Sequence, residues 1–268
     1  MRPLDVRIEA ALGTLDEDCR WELIDGIVSE CPDDVMEVTT EMILAHSERG
    51  RTLAADILGR LVGLETDVRP IAMHLLISAL AIETDSAAVA SIVAALGHLG
   101  DAGVLGRVFP LADHPAPAVR LAVAFTVATL SPQPLAPEAR GALITLSRDC
   151  DPEVRDWATF GLGTLSDADG PDVRAALLAR AEDTYHDTRA EALFGLAVRR
   201  DPRAVPHLIR ALQSPTVGGL EVDAAAAAAD PRLLPALWAL QHAGRADEVR
   251  LRRAIDRCSG RESRQLLS

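Results

Sequence analysis

This 268-residue sequence contains seven histidines, a residue type that can bind a metal ion or act as a general acid or base. None lies in an HExxH, His-x-His or His-Glu sequence, so no spacing brings two of them to one metal ion. His98 is typical of a polar residue at a helix end. His186, within "EDTYHDTR", is typical of a hydrated turn. The histidines therefore predict no metal site.

The cysteines and glycine-rich stretches indicate no reactive centre either. The four cysteines are scattered without a CxxC pair or flanking histidines, so we expect free, buried thiols. The stretch "GLGTLSDADG" lacks the lysine and the preceding strand of a phosphate-binding loop, and no nucleophile elbow is present. We therefore expect no cofactor and no catalytic residue. The cysteines are Cys19, Cys31, Cys150 and Cys258.

Aromatic side chains are rare, at 3% of the chain, yet "DPEVRDWATFGLGTL" places Trp157 and Phe160 three residues apart beside Asp156. As a helix, this segment has enough small and aliphatic residues to fill a core face without the two rings. The rings could form a binding surface, because aromatic anchors within a polar rim are typical of protein interfaces. Alternatively, they fill space between tightly packed helices.

The pattern of this stretch recurs along the chain. Read from Arg155, it is R-x-x-A-x-x-x-L-G-x-L, and the residues from Arg51 to Leu61 match it at all five places. Looser copies start at positions 20, 89, 120, 189 and 221, so successive copies lie 31 to 38 residues apart. A period of this length is typical of solenoids built from helix pairs.

A second helical segment lies between successive copies. Several of these segments begin with proline, whose missing N–H costs nothing at the first position of a helix. Their apolar residues recur at three- and four-residue spacing, as in an amphipathic helix, and no alternating pattern indicates a strand. The sequence therefore predicts an all-α protein. The segments are "PEARGALITLS", "PDVRAALLARA", "PRAVPHLIRAL" and "PRLLPALWAL".

The segments "PEARGALITLSRDCD" and "PEVRDWATFGLGTL" together resemble a HEAT repeat, in particular the short bacterial type named after phycobilisome lyase subunits. The resemblance rests on an acid in the turn, six residues before an arginine that opens the second helix, as in Asp149 before Arg155 and Asp183 before Arg189. In that family the two residues imply a ladder of hydrogen bonds between successive units. The departures from the pattern, where we expect the ladder to be interrupted, are Val89, His114 and Glu221.

The resemblance covers most of the chain and implies a right-handed α-α superhelical solenoid of about seven HEAT-like helix pairs. We expect a single solenoid over residues 1–268, with an N-terminal cap over residues 1–15 and a C-terminal capping helix over residues 245–258. Such solenoids serve mainly as scaffolds and occasionally as enzymes. The HEAT-like hydroxylases that bind iron use His-Glu pairs, which this sequence lacks.

One face of the second helices is the candidate binding surface. At 100° per residue, the positions one before the arginine and three, seven and ten after it share a side and predict the core. Positions one, two, five and nine after it point the other way, and the resemblance implies that they line a concave groove. Phenylalanine recurs at the fifth position in three successive copies. The candidate binding residues are Phe125, Asp156, Trp157, Phe160, Glu191 and Phe194, with a secondary patch of Trp21, Glu22, Asp25 and Asp56.

The charge of the chain limits its partners. A formal net charge of −13 and a pI near 4.9 work against nucleic acid and anionic lipid, since both are bound through clustered cations. No apolar run approaches the roughly 20 residues that cross a bilayer, and the N-terminal sequence carries acids where a signal peptide has an apolar core. We therefore expect a cytoplasmic protein, monomeric in isolation. All 27 basic residues are arginine, and with abundant alanine this is typical of GC-rich bacterial coding.

These observations favour a non-catalytic scaffold or adaptor that binds another protein or a peptide. The acidic rim of the groove predicts a partner segment with basic residues and apolar anchors. Two alternatives stay open. One is an enzyme or cofactor chaperone of the bilin-lyase type, and the other is an immunity-type protein that neutralises a toxin.

Overall fold

The computed structural model describes residues 3–45, 47–61 and 68–260. Within these ranges every regular element is helical and none is a strand, which confirms the predicted all-α class. No helix in the same ranges is both long enough and apolar enough to cross a bilayer.

The helices of the described ranges alternate as first and second members of eight pairs. The first members are α1 (Pro3–Gly13), α3 (Pro32–Ile43), α5 (Val68–Leu80), α7 (Leu105–Val108), α9 (Pro137–Leu146), α11 (Pro171–Arg180), α13 (Ala204–Gln213) and α15 (Leu234–Ala243). The second members are α2 (Glu17–Val28), α4 (Glu48–Arg60), α6 (Ser86–Leu99), α8 (Pro117–Leu130), α10 (Pro152–Gly163), α12 (His186–Val198), α14 (Gly219–Ala228) and α16 (Glu248–Cys258). Single 3₁₀ turns lie at Ala102–Val104, Phe109–Leu111 and Pro231–Leu233.

The two ends of the chain explain why there are eight pairs rather than about seven. The segment predicted as an N-terminal cap contains α1, which packs on α2. The segment predicted as a C-terminal capping helix contains α16, which packs on α15 and on α14. Both predicted caps are therefore members of helix pairs.

The chain divides into two compact units, Met1–Pro132 and Gln133–Ser268, which we call unit 1 and unit 2. In unit 1, α4 packs on α6 and α6 on α8, while α3 packs on α5. In unit 2, α10, α12, α14 and α16 pack on one another in succession, while α9 packs on α11 and α13 on α15. Each unit therefore has a layer of first helices and a layer of second helices. The single solenoid over residues 1–268 stays a prediction.

Short-range hydrogen bonds fix where the second helices begin. The side chain of Asp151 accepts from the backbone N–H groups of Glu153 and Val154, at 2.9 and 3.2 Å, and so caps α10. Ser47 caps α4 and Asp85 caps α6 in the same way. Each such cap contributes about 1 kcal/mol. Proline is the first residue of α9 and α11, as predicted.

The core face of α10 follows the predicted positions with one exception. Val154, Ala158 and Leu162 of α10 are fully buried. Leu165, ten residues after the arginine, is 38% exposed, because α10 ends at Gly163 and Leu165 lies beyond the helix. The prediction of a core position is therefore wrong there, whereas the equivalent leucines of the second and third copies are buried.

Two glycines of the repeat pattern allow close contact between successive second helices. A Cβ atom on Gly59 of α4 would lie 2.8 Å from the Cα atom of Ala95 on α6. A Cβ atom on Gly163 of α10 would lie 2.8 Å from the carbonyl oxygen of Glu191 on α12. Because neither approach leaves room for a side chain, contact between helix backbones explains the glycine eight residues after the arginine.

All four cysteines are thiols, as predicted, but only Cys258 is buried. Its Sγ donates to the carbonyl of Ala225 at 3.4 Å, and burial raises the pKa of the thiol to about 11. The prediction of burial is wrong for Cys19, Cys31 and Cys150, which are exposed. These three residues lie in the first turn of a helix or just before one, where the chain is at the surface.

Candidate functional site

The groove residues predicted in unit 2 lie on two neighbouring second helices. Helix α10 carries Asp156, Trp157 and Phe160, and helix α12 carries Glu191 and Phe194. The two helices pack directly on each other, and all five residues are partly buried. We call these five residues the unit 2 patch.

The aromatic rings of the unit 2 patch have a defined geometry. Trp157 and Phe160 meet edge to face, with ring centres 5.7 Å apart and ring planes at 77°. Such a pair contributes about 0.5–1.5 kcal/mol beyond the burial of its surface. Phe194 lines a cavity of about 710 Å³ together with Thr164 and Val198. The rings are therefore positioned by their neighbours and still keep part of their surface accessible.

The carboxylates of the unit 2 patch accept hydrogen bonds from neutral hydroxyl groups. Asp156 accepts from Oγ1 of Thr188 at 3.2 Å, and Glu191 accepts from Oγ1 of Thr164. Among the described residues neither carboxylate is paired with an arginine or a histidine. Burial raises the pKa of both carboxylates. The hydrogen bonds from the threonine hydroxyls lower the pKa of each, but the negative charge of Asp187 raises it further. Two partly desolvated carboxylates therefore stand without a cation in this part of the structure.

The turn acid of the same unit is neutralised much more completely. Asp183 accepts from Nε and Nη2 of Arg155, each at 2.9 Å, and from Nη1 of Arg180 at 3.1 Å. Burial opposes its ionisation, but the hydrogen bonds from Arg155 and the Tyr185 N–H outweigh burial and lower the pKa of Asp183. Nη1 of Arg155 also donates to the carbonyl of Asp149 at 3.0 Å.

Arg51 and Glu83 repeat this arrangement in unit 1. Arg51 binds both carboxylate oxygens of Glu83 through Nε and Nη2, and this interaction holds the pKa of Glu83 at about 2. Glu83 lies six residues before Val89, as Asp183 lies six residues before Arg189. The arginine of one copy therefore binds the turn acid of the next copy, which confirms the predicted ladder within each unit.

The sequence comparison agrees with this geometry. Residues 139–229 match the family described as HEAT repeats. The matched segment contains the Arg155–Asp183 pair and runs from α9 to α14. Residues 139–229 are HEAT repeats. The match does not distinguish the phycobilisome-lyase type from other HEAT repeats.

Solved structures align with most of this chain. The X-ray structure of YibA from Escherichia coli aligns with a TM-score of 0.76 and 21% identity, over 96% of this chain and 92% of that chain. An engineered protein aligns with a TM-score of 0.55 and 17% identity, over 96% and 77%. A HEAT-like repeats protein from Thermococcus onnurineus NA1 aligns with a TM-score of 0.45 and 14% identity, over 97% and 98%. No curated protein sequence matches the chain. The first two similarities show a shared fold.

Two of the three carboxylates in the secondary patch predicted in unit 1 are paired with arginines, whereas Glu22 is exposed. Arg20 pairs with Asp56, and Arg60 pairs with Asp25 at 3.0 Å. The guanidinium carbons of the same arginines lie 5.7 and 5.2 Å from the ring centre of Trp21. Burial raises the pKa of Asp56 although Arg20 opposes this shift. We call the predicted residues of this patch the unit 1 patch: Trp21, Glu22, Asp25 and Asp56.

Phe125, the remaining predicted residue, belongs to unit 1. It lies on α8 and stacks at an angle of 49° on His98 of α6, with ring centres 4.7 Å apart. His98 occupies the ninth position of its copy, one of the predicted groove positions, and burial lowers its pKa. The row of three phenylalanines that would join Phe125 to Phe160 and Phe194 stays a prediction.

Arg199 is a residue beside the unit 2 patch that the sequence reasoning missed. Its guanidinium donates five hydrogen bonds of 2.7 to 3.1 Å to main-chain carbonyls. Two of these bonds satisfy carbonyls at the end of α10, where a helix leaves its last acceptors free. A basic residue at the end of α12 was the available signal, since cations favour helix C-termini. The acceptors are Leu162, Gly163, Ser166, Ala168 and Gly195.

The histidines add no metal centre to the described part of the chain, where no group of three or more potential ligands converges. His186 contacts Asp187 and Glu221 at 3.0 Å each, and His46 lies outside the described residues. The chemistry that the unit 2 patch offers is negative charge beside apolar surface.

Proposed function

We propose that this chain is a non-catalytic protein-interaction module, a scaffold or adaptor, that binds a partner segment on the unit 2 patch. The segment carries arginine or lysine next to apolar side chains. The observation that supports this proposal is the pair of partly buried carboxylates, Asp156 and Glu191, which have no cation among the described residues and flank the Trp157–Phe160 ring pair.

A cation from the partner would complete the electrostatics of the patch. An exposed ion pair contributes only about 0–1 kcal/mol, because water screens both charges. Asp156 and Glu191 are partly desolvated, so the attraction to a partner cation is larger than at the open surface. The net charge of −13 also attracts cationic segments over a longer range and accelerates their encounter.

The rings supply the apolar part of the proposed affinity. Burial of a large apolar side chain contributes about 1.5–3 kcal/mol, more than one exposed ion pair. Trp157 and Phe160 are already fixed against each other, so that binding costs them little conformational entropy. Aromatic anchors within a charged rim are the usual organisation of energetic centres in protein interfaces.

The alternatives from the sequence fit the patch unequally. A bilin-lyase-type activity requires a surface that attracts anionic propionates, whereas the charged side chains of the unit 2 patch are carboxylates. An immunity-type protein would be a special case of the proposed function, with a toxin as the cationic partner. Since HEAT repeats commonly mediate protein interactions, the fold is compatible with that special case.

Selection from a random peptide library against the full chain tests the proposal. We expect enrichment of sequences that combine arginine or lysine with large apolar residues, and loss of this enrichment in the variant Asp156→Asn with Glu191→Gln. A matched control is Glu37→Gln with Glu41→Gln, which removes two exposed charges from α3. Enrichment that the control and the patch variant retain equally would contradict the proposed site, and absence of any enrichment would contradict the proposed function.

A further inference from the structure

In three turns of the ladder a carboxylate accepts the N–H two residues later. In the Glu83 and Asp183 turns, the same carboxylate also binds the arginine of the preceding helix pair. The turn residue therefore has two tasks, to close the turn and to neutralise the arginine. The turn bonds run from Asp85 to Glu83 at 2.9 Å, from Asp151 to Asp149 at 2.9 Å, and from Tyr185 to Asp183 at 3.0 Å.

Two further turns are closed by a neutral side chain. Nδ1 of His114 accepts from the N–H of Ala116 at 3.1 Å, and Oγ of Ser214 accepts from the N–H of Thr216 at 3.2 Å. Ser214 lies seven residues before Glu221 instead of six, so one extra residue hides this correspondence in the sequence. These side chains close the turn but provide no carboxylate.

A cavity lies at each of these two turns, and the two cavities differ in the residue at the arginine position of the repeat. The cavity at His114 has a volume of about 470 Å³ and is lined by Val89, which stands at the arginine position. The cavity at Ser214 has a volume of about 300 Å³ and is lined by Arg189, the arginine itself. In the first case both the arginine and the acid are replaced, whereas in the second only the acid is missing.

Arg189 therefore has the position of a ladder arginine without the carboxylate that such an arginine binds. Its Nη1 donates to the carbonyl of Asp183 at 2.6 Å, as Nη1 of Arg155 donates to the carbonyl of Asp149. Arg155 uses Nε and Nη2 for a carboxylate, but among the described residues no acid pairs with Arg189.

The acids that line the Arg189 cavity already have other partners. Asp183 is bound by Arg155 and Arg180, as described above. Glu221 contacts Nε2 of His186 at 3.0 Å and accepts from the N–H of Gly218 at 3.0 Å. Glu182 is bound by Arg210 and lies 3.4 Å from His207. Four arginines thus line the cavity or hold two of its three acids: Arg155, Arg180, Arg189 and Arg210.

We propose that the cavity beside Arg189 binds a carboxylate group of a ligand, which takes the place of the missing turn acid. The planar guanidinium fork matches a carboxylate through two parallel hydrogen bonds. The volume of about 300 Å³ is at the lower end of small-molecule sites, and Ser214 and His207 provide further polar groups. This site and its ligand chemistry are separate from the unit 2 patch and its cationic partner.

Calorimetric titration of the full chain with two carboxylate probes tests this site. The probes are succinate and the capped peptide acetyl-Ala-Glu-Ala-amide, and inorganic phosphate serves as a competing anion. We expect saturable binding of at least one probe, and the probe that binds identifies a small molecule or an acidic side chain as the carboxylate source. Absence of saturable binding of both probes, or tighter binding of phosphate, would overturn the assignment.

Three variants connect the binding to Arg189. Arg189→Gln removes the fork and should weaken the probe by about tenfold or more, and Arg189→Lys, which keeps the charge without the fork, should also weaken it. Ser214→Asp provides an internal carboxylate, so it should abolish probe binding and raise the melting temperature. The control Arg252→Gln changes an exposed arginine of α16 and should bind as the wild type does. Unchanged binding in Arg189→Gln or in Ser214→Asp, with circular dichroism showing a folded protein, would contradict the proposal.

Discussion

Trp157 in unit 2 stands beside two predicted carboxylates and Trp21 in unit 1 beside three, and the two sets differ in their partners. Asp25 and Asp56 are paired with Arg60 and Arg20, and both arginines lie over the Trp21 ring. Asp156 and Glu191 have only threonine hydroxyls as hydrogen-bond partners among the described residues.

This difference indicates which patch has binding capacity left. A carboxylate that already holds an arginine must lose that partner before it can bind another cation, so the net gain is small. An unpaired, partly desolvated carboxylate has no such cost. We therefore expect the unit 2 patch to bind a cationic segment much more strongly than the unit 1 patch.

The largest effects are expected from the core beneath each patch. Leu162 under the unit 2 patch and Ile27 under the unit 1 patch are both fully buried. Leu162→Asp or Ile27→Asp places an unpaired charge in the core and should cost more than about 4 kcal/mol, with loss of cooperative unfolding by circular dichroism. Leu162→Met is the control, since a volume-conserving change costs less than about 1.5 kcal/mol. A cooperative transition near the wild-type midpoint in either Asp variant would contradict the core assignment.

The ring pair is expected to show the next largest effect. A fully buried aromatic ring costs about 3–5 kcal/mol when it is replaced by alanine. Trp157 and Phe160 are only partly buried, so the double variant Trp157→Ala with Phe160→Ala should lose less stability per ring than a fully buried ring would. The variant should no longer bind the peptide selected from the library. Trp238→Ala, at an exposed tryptophan of α15, is the control. If denaturant titration shows a destabilisation of about 3–5 kcal/mol for each ring, the rings instead fill space between helices.

A smaller effect on stability distinguishes paired from unpaired carboxylates directly. Arg20→Gln leaves Asp56, whose side chain is only 9% exposed, without its cation and should cost about 1–3 kcal/mol. Asp156→Asn removes a carboxylate that has no paired cation among the described residues, and it should change the free energy of unfolding by less than about 0.5 kcal/mol. Equal destabilisation by the two variants would contradict the proposal that the carboxylates of the two patches differ in their pairing.

The smallest effects concern pH. The raised pKa values of Asp156 and Glu191 mean that the folded state binds their protons more tightly, so these two groups favour folding as the pH falls, and affinity for a cationic peptide should decrease over the same range. Glu83 acts in the opposite direction. Its pKa is about 2 instead of 4.5, so its stabilisation is complete above about pH 4.5 and is lost as the pH falls towards 2.

Two variants separate these contributions. Asp156→Asn with Glu191→Gln should remove the acid decrease in peptide affinity, measured by calorimetry, while Glu83→Gln should remove part of the acid decrease in stability, measured by denaturation. A peptide affinity whose pH dependence survives the double replacement would show that other groups control it.

The repeat itself could be predicted from the sequence because its determinants are local. The arginine and the turn acid lie six residues apart in one copy, and the apolar spacing defines each helix without reference to distant residues. The pairing in the unit 1 patch could not be predicted in this way. Arg20 and Asp56 are 36 residues apart and meet only because α2 packs on α4.

The candidate site was predictable in its residues but not in its electrostatics. The helical positions after Arg155 identified Trp157 and Asp156. In the described part of the chain no cation pairs with Asp156, and this depends on the side chains of the neighbouring helix. The correspondence of Ser214 to the turn acids was obscured because one additional residue shifts its spacing, and only the hydrogen bond to Thr216 reveals it.

Binding of one selected peptide at two ionic strengths is the measurement that tests the unit 2 patch most directly. We expect the wild type to associate more slowly at physiological than at low ionic strength, with little change in dissociation, because screening weakens the long-range field more than the packed rings. Asp156→Asn with Glu191→Gln should weaken binding by about tenfold or more, equivalent to about 1.4 kcal/mol, and reduce the salt dependence, while Glu37→Gln with Glu41→Gln should retain near-wild-type affinity. Equal affinity and equal salt dependence in the wild type and the patch variant would contradict the proposal that these two unpaired carboxylates bind the partner.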